Sequence, residues 1–178
     1  MTHEHSASVV LVAGPAGSGK STLGGALAAD LGAALLDLDV VTNPVLDRLQ
    51  AERLFGDRHW NDASLRPLLR PARYAALRDT MAAQTVSTVA VAPWTAELAG
   101  GEEWRVLVDS LGGEPFVVWL RAGSELLARR RENRGLDRDA HIVDGGSSPA
   151  VAHIAVDAAA PTADQVRFVV ERLTSQSR

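Results

Sequence analysis

Five short apolar runs punctuate the chain, each but the last followed by a stretch with helical spacing and the last by a terminal helical stretch. Ser8 to Ala13 is β-branched and aliphatic and stops at Gly14-Pro15. An unbroken run of that length predicts a strand buried on both faces, as in a parallel sheet. Over 20–31, Leu23, Leu27 and Leu31 recur at helical spacing, and Gly32 ends the helix. Ala33 to Asp39 predicts a second strand, central in the sheet and parallel to the first. Residues 43–84 predict mostly helix, broken at Pro44, Pro67 and Pro71; Pro71 fits the first turn of a helix whose Tyr74, Leu77 and Met81 share a face. Val86 to Ala92, Phe116 to Leu120 and Ala152 to Val156 predict three more strands. Glu102 to Leu111, Ser124 to Arg134 and Thr162 to Leu173 predict helices, the last turning Val166, Val169, Val170 and Leu173 inward. The polar, Gly/Ser-rich 136–150 predicts a loop. Strands alternating with helices predict an α/β fold of three layers, a five-stranded, mostly parallel sheet with helices on both faces. One domain spans 1–178, with excursions at about 43–70 and 134–150.

Composition narrows the class. Hydrophobic residues at 46% and charged residues at 22% exclude wholesale disorder. No apolar stretch approaches the ~18 residues of a membrane span, and no signal peptide is visible, so a soluble cytoplasmic protein is expected. The absence of cysteine excludes disulfide scaffolds, cysteine-based zinc sites and thiol catalysis. A net charge of −4 argues against a nucleic-acid partner. Of the 18 basic residues only Lys20 is a lysine.

Its neighbours explain why. Gly14-Pro15-Ala16-Gly17-Ser18-Gly19-Lys20-Ser21 matches the phosphate-binding pattern G-x-x-x-x-G-K-[ST], between a predicted strand and a predicted helix. Glycines let successive backbone N–H groups turn toward one anion, and the helix N-terminus adds its partial positive charge. Gly14 to Thr22 therefore form the candidate ATP cradle. Lys20 is placed to reach the β- and γ-phosphates, and the Ser21 hydroxyl to ligate Mg²⁺. An otherwise arginine-only chain keeps its lysine where a compact point charge is needed.

Leu36-Asp37-Leu38-Asp39 ends the second predicted strand. Residues two apart in a strand point the same way, so both carboxylates are expected on one side of the sheet's C-terminal edge, where ligands of open α/β sheets bind. One carboxylate could serve the Mg²⁺ shell and the other accept a proton from a substrate hydroxyl. The bland alternative is that both cap the next helix.

A phosphate cradle followed closely by Asp-x-Asp resembles the small P-loop metabolite kinases of the gluconate kinase and shikimate kinase type, with the chloramphenicol phosphotransferase and zeta-toxin relatives. The resemblance implies the P-loop NTPase fold, ATP and Mg²⁺ as cofactors, and a small hydroxylated molecule as acceptor. It implies that Asp37 serves the metal and Asp39 meets the acceptor hydroxyl as base. It also implies that the arginine-rich 129–139 belongs to a lid that closes over ATP. There, Arg130 and Arg134 match the helix-to-lid spacing best and would neutralise charge on the transferring phosphoryl group. The excursion after strand two would form the acceptor pocket. Within it Arg70 and Arg73 are favoured, and Trp94, following Pro93 at the end of strand three, is a candidate wall of the same pocket or, equally, a core packing residue.

No strand ends in the Asp-Glu pair of a motor ATPase, and no guanine-reading Asn-Lys-x-Asp segment exists. His141 and His153 have no partner at ligand spacing, and His3 and His5 fall in a frayed N-terminal tail. Besides a small-molecule kinase, two readings stay open: a nucleotide-binding regulatory module without transfer activity, and a polynucleotide end kinase.

Overall fold

Successive side chains of a strand face opposite ways, and β1 (Val9–Ala13) fills both directions. Val10 and Val12 enter one core layer with Leu23, Leu27, Val169 and Leu173; Leu11 and Ala13 enter the other with Leu77, Met81, Leu107 and Trp119. A strand apolar on both faces needs helices on both sides. The computed structural model describes residues 8–132 and 148–176, apart from the side chains of 130–132 and 176. Beside β1, the sheet contains β2 (Ala34–Asp37), β3 (Thr88–Val91), β4 (Phe116–Arg121) and β5 (Ile154–Asp157), all parallel, in the order β2-β3-β1-β4-β5. Helices α1 (Lys20–Leu31) and α6 (Thr162–Gln176) cover one face; α3 (Arg66–Ala82) and α4 (Glu102–Leu111) cover the other. α2 (Leu38–Ala51) packs on α3, and α5 (Ser124–Glu132) follows β4. This is the expected three-layer α/β fold.

Three details differ from the sequence reading. β2 lies at the sheet edge and not in its centre: β3 pairs with both β1 and β2. All four β3 residues are buried, whereas Leu35 of β2 is 46% exposed. A strand of three apolar residues and an aspartate does not reveal whether one neighbour or two will flank it. β2 also stops at Asp37 and not at Asp39, because Asp37 is the N-cap of α2: its carboxylate accepts a hydrogen bond from the Asp39 amide at 2.9 Å. Finally, Pro67 and not Pro71 occupies the first turn of α3, while Pro44 and Pro71 lie inside helices. Both interior prolines are exposed, as are Val40 and Pro67 four residues before them, so the carbonyls left without an amide partner face solvent.

One packing contact sets where the cradle ends up. α1 crosses β3 closely at Gly24, where a Cβ would sit 2.2 Å from Cγ2 of Val91. Helix and strand can approach this closely only because residue 24 has no side chain. The N-terminus of α1 is thereby held over the C-terminal ends of β1 and β3.

Candidate active site

The loop from Gly14 to Gly19 leaves β1 at the C-terminal edge of the sheet and enters α1 at Lys20. Gly19, the N-cap, has φ of 97°, a conformation that side-chain-bearing residues rarely adopt. At Gly14, φ is 147° and a Cβ would lie 2.9 Å from both the Leu120 carbonyl and Ser18 Oγ. The loop is therefore a tight backbone cradle that admits no extra atom. Lys20 Nζ donates to the Pro15 carbonyl at 2.9 Å, so its ammonium lies across the loop mouth. The cleft beside it, about 390 Å³, is lined by Gly17 to Thr22 and by Ala158, Ala160, Thr162 and Gln165 from the β5–α6 region. The sequence reading missed this second wall. Its one signal is Gln165, a buried polar residue early in a helix, whose amide donates to the Asp157 carbonyl at 2.8 Å and braces the β5–α6 connection.

Ser21 and Asp37 meet as expected: the hydroxyl donates to Asp37 Oδ2 at 2.7 Å. Asp37 thus does both things considered for it, capping α2 through Oδ1 and facing the cradle through Oδ2. An alcohol oxygen and a carboxylate oxygen side by side are hard donors suited to Mg²⁺, which takes few protein ligands and completes its shell with water and phosphate oxygens. Among the described residues no cluster of three or more His, Asp or Glu could hold a metal without such help. The donor set fits a magnesium–nucleotide complex, with Ser21 and Asp37 as the protein ligands, directly or through water.

Asp39 sits one helical residue past the strand end and is held by a different set of groups. Arg73 Nη2 donates to Asp39 Oδ1 at 2.6 Å and to Asn43 Oδ1 at 2.8 Å, while Arg73 Nε donates to Thr42 Oγ1 at 2.8 Å. Residues 39, 42 and 43 share one face of α2, so a single planar guanidinium reaches all three. Thr42 passes its own proton to the Leu38 carbonyl at 2.6 Å. Below the guanidinium lies the Trp60 ring, 5.5 Å away. Trp60 is in turn tied to α2, its indole N–H donating to Asp47 and its amide to Gln50. The whole excursion is thus tied around Arg73.

Arg70 is also committed. It pairs with the buried Glu97 at 3.1 Å and lies 4.2 Å from the Tyr74 ring centre. Burial, and then the Glu97 charge, push the Tyr74 phenol up to about 12, so it stays protonated. Its oxygen accepts the Trp94 amide at 3.2 Å. Of the two roles open to Trp94, the structure selects the core one. Trp94 is 1% exposed, packs edge-on against Tyr74 and belongs to the core. Its φ of 52° is unusual for a bulky residue and turns the chain sharply after β3.

Lys20, Ser21, Asp37, Asp39, Arg70 and Arg73 line one cleft of about 400 Å³, together with Trp60, Asn61, Arg66 and Thr95. The cleft joins the mouth of the phosphate cradle to the excursion. Of the expected lid residues, Arg130 lies in α5 with its side chain outside the described part, and Arg134 lies outside the described residues altogether.

The sequence matches the family model described as AAA domain over residues 9–145. The chain belongs to the AAA-domain family. No curated protein matches it. Among solved structures, this AAA-domain protein is similar to a Chloroflexus aurantiacus protein assigned provisionally to the kinases, at 20% identity and a TM-score of 0.71, covering 96% of this chain and 97% of the other. It is similar to a gluconokinase from Sinorhizobium meliloti at 24% identity, TM-score 0.61, with 97% and 98% covered. A shikimate kinase from Aquifex aeolicus gives 18% identity, TM-score 0.58, with 95% and 98% covered. The described residues share the fold of these P-loop kinase structures.

Proposed function

We propose that the protein is an ATP-dependent phosphotransferase that phosphorylates a hydroxyl of a small molecule. The observation that carries this reading is the shared cleft: the mouth of the phosphate cradle and the carboxylate of Asp39 face the same 400 Å³ space. A protein that only bound nucleotide would need no carboxylate held at the mouth of the cradle by an arginine that is itself fixed on Thr42 and Asn43.

The magnesium–nucleotide complex, when bound, supplies the electrophilic phosphoryl group. The loop amides and Lys20 hold its phosphates, Lys20 exchanging the Pro15 carbonyl for phosphate oxygens. Ser21 and Asp37 hold the cation. Asp39 would orient the acceptor hydroxyl and take its proton, while bound ATP would supply the phosphoryl group, the bridge between its β- and γ-phosphates breaking and ADP leaving. Arg73 keeps the Asp39 carboxylate still while this happens. Lid arginines Arg130 and Arg134 are assigned to neutralise charge on the transferring group.

The test is ADP release in the presence and absence of a panel of hydroxylated acceptors. Acceptor-stimulated release is expected, and Lys20→Ala should abolish it while leaving the circular dichroism spectrum unchanged. Native-rate turnover by Lys20→Ala would end the kinase reading.

A further inference from the structure

A guanidinium is held at its edges by hydrogen bonds and at its faces by packing. The Arg73 edges are fixed on α2, to Asp39 at 2.6 Å, Asn43 at 2.8 Å and Thr42 at 2.8 Å. In-plane bonds resist sliding but resist tilting only weakly, so the faces matter. One face meets the Trp60 ring, whose centre lies 5.5 Å from Arg73 Cζ. Tryptophan is the best ring for this contact, and the Arg73 side chain is only 18% exposed, so little water competes for it.

Trp60 needs an anchor of its own. No helix or strand spans 52–62, and Arg53, with φ of 57°, turns the chain there. The anchors come from α2. The indole N–H donates to Asp47 Oδ1 at 2.8 Å, the Trp60 amide donates to Gln50 Oε1 at 2.7 Å, and Gln50 Nε2 donates to the Arg58 carbonyl at 3.1 Å. Asp39, Asn43, Asp47 and Gln50 stand at i, i+4, i+8 and i+11, on one face of α2. Arg73 binds the first two of this stripe and Trp60 the last two. The Gln50 bonds fix the backbone of the excursion, whereas the Asp47 bond fixes the direction of the ring. Asp47 is exposed, stands eight helical residues or roughly 12 Å from Asp39, and does not line the acceptor cleft.

We infer that Trp60 is a positioning residue for phosphoryl transfer: its ring holds the Arg73 guanidinium in the plane in which it meets Asp39, and Asp47, outside the cleft, sets the ring. This rests on the kinase reading above. The ring lines the cleft, but its part in transfer runs through Arg73.

The test measures acceptor-dependent ADP release with the best acceptor from a panel of polyols, aldonic acids and nucleosides. Asp47→Ala should lower kcat about 3–10-fold, with acceptor KM within about twofold of native. Asp47→Asn keeps a side-chain oxygen for the indole N–H and should restore most of the rate. Trp60→Phe keeps a ring face but has no N–H to tie, so it should show the same loss. Asp47→Ala should then add nothing further to Trp60→Phe or to Arg73→Gln. A second readout needs no activity. The chain has four tryptophans, and the indole N–H signal that disappears from the ¹H–¹⁵N spectrum in Trp60→Phe should move in Asp47→Ala while the other three stay in place. Native kcat in Asp47→Ala, a loss in Asp47→Asn as large as in Asp47→Ala, or additive losses in the double variants overturn the inference and leave the kinase reading standing. So does a Trp60 indole signal that stays put in Asp47→Ala, or a shift of all four. A rise in acceptor KM at constant kcat in Trp60→Phe also overturns it, since the ring would then be a wall for the acceptor and no more. No stimulation of the native protein by any acceptor overturns both readings.

Discussion

A guanidinium that satisfies three neighbours at once is a strut, and Arg73 is the clearest case in this cleft. Its partners Asp39, Thr42 and Asn43 take three of its five N–H donors, those of Nε and Nη2. Arg73→Gln should lower acceptor-dependent kcat about 10–100-fold through misplacement of Asp39, with KM for the acceptor nearly unchanged. Arg73→Lys should recover little, since a point charge cannot bridge the three oxygens. In an Asp39→Asn background the same change should cost far less, because the carboxylate it positions is gone. A rise in acceptor KM at constant kcat would instead make Arg73 an acceptor ligand, as the sequence suggested. Residue-level chemistry was legible where a motif fixes spacing along the chain, as at Lys20 and Ser21. It was not legible at Arg70, Arg73 and Arg66. Six arginines over 48–73 look alike in one dimension, and only the fold decides which of them meet Glu97 or Asp39. Tyr74 offers a check on that packing, because it is the chain's only tyrosine. The folded protein favours the neutral phenol, with its midpoint raised to about 12 by burial and Glu97. This contribution to stability is fully present below about pH 10, where the unfolded phenol titrates, and is lost as pH rises toward the folded value. Tyrosinate absorbance of the folded protein should show that high midpoint; a midpoint near 10 would mean that the ring is not buried against Arg70 and Trp94.

Elements were legible by their periodicity, and their misreadings have local causes. A strand and a helix that share the stretch Leu36-Asp37-Leu38-Asp39 cannot be parted by alternation alone, because an aspartate suits a strand end and a helix cap equally. Prolines read as breakers at 44 and 71 are tolerated because they lie on exposed helix faces. The α1–β3 crossing was invisible in the sequence, since Gly24-Gly25 in a helix reads only as weak propensity. The structure separates the two glycines. A Cβ at residue 24 would overlap Val91, whereas at residue 25 the nearest atom within reach is Cδ2 of Leu35 at 3.9 Å. Gly24→Ala should destabilise by about 1–3 kcal/mol through overpacking. Gly25→Ala should be stabilising, by up to about 1 kcal/mol of helix propensity. Urea denaturation midpoints at unchanged m-value read both, and equal effects at the two positions would contradict the close crossing.

For the whole molecule, the cradle, the edge strand and the excursion are coupled through one pair of adjacent carboxylates. Asp37 ends β2, caps α2 and faces Ser21; Asp39 lies in the first turn of α2 and is clamped by α3. Nucleotide binding is thereby linked to global stability, since a ligand that binds only the folded state stabilises it by RT ln(1 + [L]/Kd), about 2.7 kcal/mol at a hundredfold excess over Kd. For a domain of this size that corresponds to a rise in Tm of roughly 5–10 °C. The two carboxylates should divide this effect. If Asp37 holds the cation, Asp37→Asn should lose most of the increment that Mg²⁺ adds to nucleotide, together with transfer. Asp39→Asn should keep the full Mg²⁺-dependent rise and lose acceptor-dependent turnover by about 10²–10⁴-fold. Losing its Oδ1 cap acceptor would also lower the ligand-free Tm of Asp37→Ala, by about 1 kcal/mol of stability. Asp37→Asn retains a side-chain oxygen for the Asp39 amide and separates capping from metal binding. Thermal melts of the three variants with and without ATP, each at matched Mg²⁺ and with EDTA, measure both quantities in one experiment. If Asp39→Asn loses the Mg²⁺ increment and Asp37→Asn loses only transfer, the roles are exchanged. If neither variant alters ligand-induced stabilisation or turnover, the pair is architectural and the kinase chemistry lies elsewhere in the cleft.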